Sequence, residues 1–109
     1  MAKILKSIDY YKLVTFIYSM AEYNKGKAII LFNYVAYHLI HSKYNELYIE
    51  KLALDLKLLN DDGTDIIKFD KTSAAYSSNL KYMDKSFNSF ELINIKAAVW
   101  DILHKGYYE

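Results

Sequence analysis

A chain of 109 residues that is 53% hydrophobic and 17% aromatic has enough apolar mass for one core, and too much for a disordered segment. Its 14 basic residues nearly cancel its 13 acidic ones, so the net charge carries no strong footprint of a nucleic-acid or anionic-membrane binder. Cysteine is absent, which excludes disulfide frameworks, thiolate nucleophiles and cysteine-based zinc sites.

Every basic residue is lysine, and arginine, glutamine and proline do not occur. Without arginine the chain lacks the usual fork for bidentate readout of guanine, phosphate or carboxylate. The excess of Lys, Ile, Asn and Tyr matches AT-rich coding, as in a virus, a mobile element or a low-GC bacterium. The opening MAKILKSIDYYK has no continuous apolar segment of the signal-peptide kind. The longest apolar run, residues 28–40, is interrupted by Asn33 and His38 and is too short for the roughly 30 Å of a bilayer core. A cytoplasmic protein without a membrane segment is expected, in the host cytoplasm if the source is viral.

In chain order, Ser7 or Asp9 can cap a first helix reaching about residue 24, with Tyr10, Leu13, Val14, Ile17, Met20 and Ala21 at helical spacing. Asn24-Lys25-Gly26 reads as its stop, with the glycine closing the helix. A second helix over residues 27–42 is apolar almost all round, its polar members Asn33, Tyr37 and His41 forming one narrow stripe with His38 beside it. Residues 45–59 fit a helix through Ile49, Leu52, Ala53, Leu56 and Leu59, and alternate through Leu52, Leu54, Leu56 and Leu58 as a strand would. Their helix formers favour helix. Asp62-Gly63 is a turn signal, followed by Ile66, Ile67 and Phe69, so a short β-hairpin around residues 57–69 is the alternative. Asp70 can cap a helix to about Met83. In NSFELINIKAAVWDILHKG, an asparagine or serine cap opens a last apolar helix that Gly106 would stop. The fold class expected is mostly α: a compact bundle of about five helices in a single domain over residues 1–109, with the second and last helices central.

Motifs of chemistry are few. His38 and His41 stand three apart and share a helix side, as two ligands of one metal ion could. A zinc site needs three or four protein ligands. Only His104 remains, and the nearest acid, Glu46, lies beyond the helix end, so bonds to backbone or tyrosine hydroxyls are the expected role. The loop NDDGTD fails as an EF-hand: with Gly63 at the sixth position, Leu58 falls first and Phe69 twelfth. No Gly-x-Ser-x-Gly elbow occurs, and Gly26, Gly63 and Gly106 are too scattered to cradle a phosphate. No enzyme, metal or cofactor is expected.

YIEKLALDLKLL resembles the positioning helix of helix-turn-helix domains, and TSAAYSSNLKYM has the character of a recognition helix. Residues 59–69 separate them by far more than the short turn the motif uses. Twelve tyrosines carry the most interest. Tyr10 and Tyr34 lie on apolar faces, while others stand near helix ends, and exposed rings suit an interface. The expectation is a non-catalytic interaction protein that binds and modulates a protein partner, such as a virus- or mobile-element-encoded inhibitor of a host complex. Its expected contact residues are Tyr76, Tyr82, Phe87, Tyr107, Lys81 and Lys85. The alternatives are a nucleic-acid-binding regulator, either helix-turn-helix-like or binding single strands on exposed rings, and an enzyme or metal protein using His38 and His41. A homodimer is expected if the apolar helices are not covered on all sides.

Overall fold

A computed structural model describes residues 3–58 and 80–108, Leu80 and the last four without their side chains. The hairpin expected around residues 57–69 lies outside these residues except for Lys57 and Leu58, and so does most of the helix expected over residues 70–83. The protein is mostly α: α1 (Ser7–Ala21), α2 (Lys25–His41), α3 (Leu47–Asp55), a 3-10 turn (Leu80–Tyr82), α4 (Met83–Ser86) and α5 (Ser89–Tyr108). Among the described residues the only β pairing is an isolated parallel bridge between Lys3 and Tyr44.

Helix α1 buries Tyr10, Leu13, Ile17 and Ala21, spaced three and four apart so that they form one stripe. Its cap position is Lys6, which makes no side-chain cap bond, and Asp9 sits buried in the first turn. There the partial positive charge of the free N–H groups favours a carboxylate. The expected glycine stop is corrected. Glu22 and Tyr23, at φ of 50° and 63°, turn the chain through the left-handed region. Asn24 then caps α2 by accepting the Lys27 N–H at 3.1 Å. Gly26 belongs to the first turn of α2, where a Cβ would stand 3.2 Å from the capping oxygen of Asn24.

Helix α2 is central, as its composition implies: Leu31 to Ala36 are buried without a break, and Leu39 after them. Asn33 lies within that run and donates to the Ile29 carbonyl at 2.7 Å, satisfying its amide inside its own helix. At the end of α2, Lys43 takes φ of 64° and the Tyr44 N–H reaches back to the Leu39 carbonyl at 3.0 Å. The same closure recurs after α3, with Lys57 at φ of 57° and the Leu58 N–H on the Ala53 carbonyl at 2.8 Å. In both, the next residue (Tyr44, Leu58) is buried, so a hydrophobic anchor locks each turn.

Helix α3 settles its segment as helix, burying Ile49, Leu52 and Ala53 while Leu54 faces solvent. It ends at Asp55, short of residue 59. Lys3 lies across the α2–α3 connection: its N–H donates to Lys43 at 2.8 Å and its carbonyl accepts from Asn45 at 3.0 Å. The Tyr10 hydroxyl donates to the Asp55 carboxylate and the Tyr18 hydroxyl to the Asp55 carbonyl, fastening α1 to the end of α3.

After the 3-10 turn, α4 packs on α2 with Met83 and Phe87 buried. Asn88 and Glu91 then make a reciprocal capping box: the Asn88 side chain accepts the Glu91 N–H at 2.8 Å, and the Glu91 carboxylate accepts the Asn88 N–H at 3.0 Å. Helix α5 passes through Gly106 to Tyr108, so that glycine is no stop. Nor is α5 central. It packs on α1 and α4 through one row, Ile95, Val99 and Leu103, and leaves Phe90, Ile93 and Trp100 exposed. The Tyr44 hydroxyl donates to the Leu103 carbonyl and ties the α2–α3 connection to α5. No helix among the described residues is long and apolar enough to cross a membrane.

Candidate interaction surfaces

Histidines His38 and His41 come from the last turns of α2, and α5 brings His104 into their neighbourhood. Burial lowers the pKa of His38 from its ordinary 6.5, and nearby charge on His41 and His104 lowers it further. The rings are held by aromatic neighbours. His38 lies edge-on to Tyr34, centroids 4.5 Å apart, and to Tyr37 at 5.3 Å. His41 rests on Tyr37 at 4.2 Å, and His104 on Trp100 at 3.9 Å. Among the described residues, ring-on-ring packing holds the imidazoles, in place of the expected hydrogen bonds to backbone or tyrosine hydroxyls. Among the described residues, no three His, Cys, Asp or Glu side chains converge closely enough to hold a metal ion.

Among the described residues, Asp9 carries the one buried side-chain oxygen without a hydrogen-bond partner, its Oδ2. Its Oδ1 lies 4.0 Å from the Lys12 ammonium.

Of the six expected contact residues, three meet on the surface. The Tyr82 ring, 41% exposed, has the Lys81 ammonium 5.3 Å and the Lys85 ammonium 6.0 Å from its centroid. The 3-10 turn places Lys81 beside Tyr82, and the first turn of α4 brings Lys85 back over the ring at three residues' distance. Phe87 is corrected: it is a core residue, 3% exposed, because the extended backbone after α4 turns its ring inward beside Met83. The Lys27 ammonium lies 5.5 Å from its ring centroid. Tyr76 lies outside the described residues. Tyr107 lies in α5, its side chain outside what is described.

Sequence reading missed a recess of about 230 Å³, lined by Tyr18, Tyr23, Ala28, Leu56 and Leu58 with Lys25 and Lys57. It lies between the end of α1, the first turn of α2 and the turn after α3, three segments that no spacing pattern joins. Tyr23 at its rim is fully exposed on a left-handed backbone, a conformation unusual for a bulky residue. The first turn of α2 lies between two features: Lys25 lines the recess, and the Lys27 ammonium lies over the ring of Phe87, the residue after α4. Such rings supply rigid apolar contact area, and the lysines supply orientation toward carboxylates. Also missed was the stripe Phe90, Ile93 and Trp100 on α5, whose signal was hidden because the opposite face is apolar too.

Compared with protein-family models, with curated proteins and with solved structures, the chain matches none.

Proposed function

We propose that this is a small non-catalytic interaction protein that docks on a protein partner and modulates it by occupancy. The observation that carries this reading is the exposed Tyr82 ring with the ammonium groups of Lys81 and Lys85 close to it. Interfaces concentrate their binding energy in a few aromatic anchors, with charges around them setting orientation and encounter rate. A partner surface offering carboxylates around an apolar pocket is the match for this arrangement, and Tyr23 with Lys25 and Lys57 at the recess offers a second one of the same chemistry. The capture experiment compares the wild type with Tyr82→Ser and with Lys81→Glu/Lys85→Glu. A protein retained by the wild type and lost with both variants supports the reading; retention unchanged by both removes it.

Nucleic acid is the second reading, favoured by the same ring, because a tyrosine beside lysines is also a stacking platform for an unpaired base. Mobility of single-stranded DNA and RNA at low and moderate salt separates the two. A phosphate binder loses affinity steeply with salt, and a protein-docking surface has no such affinity to lose.

A further inference from the structure

We infer that the outer face of α5 is a self-association surface on which two copies of this chain pair as parallel helices. Phe90, Ile93, Ala97 and Trp100 recur at intervals of three, four and three, the seam spacing of two heptads. All four are exposed, with Phe90 73%, Ile93 67% and Trp100 64% accessible. The seam lies opposite the row Ile95, Val99 and Leu103 that fixes α5 to its own bundle. A copy approaching the seam therefore leaves the domain core intact, and the two bundles fall on opposite sides of the axis.

Flanking residues identify the occupant. In a parallel pair, a residue before each first seam position meets the partner's residue five further on. On α5 that rule joins Lys96 to Asp101 of the other copy, and Ser89 to Asn94. Both contacts recur by symmetry, giving two opposite-charge pairs and two hydroxyl–amide pairs. All four residues are exposed, and among the described residues neither Lys96 nor Asp101 is engaged in an ion pair. An antiparallel pair centred on Ala97 would instead set Lys96 against Lys96 near the axis. Ala97, between Ile93 and Trp100, lets the helices approach closely and leaves room for both indoles. Two heptads are too short to hold isolated peptides together, but α5 is already folded on α1 and α4, so association carries no cost of forming the helix.

The test combines sedimentation velocity across a concentration series with symmetric crosslinking, which a cysteine-free chain permits without background. The wild type is expected to pass from monomer to dimer as concentration rises. Lys96→Glu or Asp101→Lys should each move the midpoint up by about tenfold, and the double reversal should restore it to within about threefold. Ile93→Cys should crosslink to itself, as should Trp100→Cys. A wild type that stays monomeric throughout overturns the inference, as does a dimer indifferent to the single reversals. Crosslinking only between Ile93→Cys and Trp100→Cys also overturns it, because that is the antiparallel arrangement.

Discussion

The hydroxyl of Tyr48 accepts the Leu5 N–H at 2.9 Å and donates to the Leu5 carbonyl at 3.3 Å, so one side chain of α3 satisfies both backbone groups of a residue 43 positions away. Leu5 is itself buried in the core, which leaves its amide little access to water. Tyr48→Phe keeps the ring and removes both bonds. The expected loss is about 1–3 kcal/mol, the cost of stranding partly buried backbone groups, read as a lower urea midpoint with an unchanged slope.

Lys43 and Lys57 close α2 and α3 in a conformation that glycine adopts without the clash between Cβ and carbonyl. Each side chain is exposed, so replacement removes no packing. Lys43→Gly and Lys57→Gly should each stabilise the domain, by about 1 kcal/mol less the added freedom of the unfolded chain. Because the sites are separate, their midpoint shifts should add. A fall in the midpoint for either variant would contradict the assigned turn.

Acid should destabilise the protein through His38. Its folded pKa lies below the 6.5 of the unfolded chain, first because it is buried and then because of His41 and His104. Between those values the unfolded state binds the proton more readily than the folded one. The contribution is therefore present above pH 6.5 and is lost as pH falls through the folded value. Thermal midpoints recorded across this window should fall with pH, and His38→Gln should flatten the slope whatever it does to the midpoint at neutral pH.

Tyr10 imposes the opposite limit. Burial raises its pKa above the ordinary 10, and its bond to Asp55 and the nearby carboxylate charge raise it further. Above pH 10 the unfolded chain ionises while the folded one holds its proton, so stability should decline as pH rises through 10. Tyr10→Phe, which has no proton to lose, should reduce that alkaline slope in the same thermal measurement.

Particular residues explain what the sequence made legible. The unbroken burial of Leu31 to Ala36 follows from a helix without a polar face, and the Asn88–Glu91 box from an asparagine three residues before a glutamate. Helix stops were less legible, because none of the first three helices closes on glycine: Glu22, Tyr23, Lys43 and Lys57 take the left-handed positions instead. Gly26 and Gly106, read as stops, lie inside helices. Side-chain burial at Phe87 was unreadable, since one extended residue between two helices decides which way the ring turns. The meeting of Lys81 and Lys85 over Tyr82 was legible because all three are local. The approach of His104 to His38, and of Lys57 to Lys25, depends on how distant helices stack.

The hydroxyl of Tyr44 on the Leu103 carbonyl, with α5 laid along α1, joins the first half of the chain to nearly its last turn. Contacts of such long sequence separation form late and slow the completion of folding. During synthesis, α1 to α3 emerge well before the segment that covers them, so the growing polypeptide carries an uncovered apolar bed until α5 leaves the ribosome. That interval is when this protein is most open to aggregation or to rescue by a chaperone.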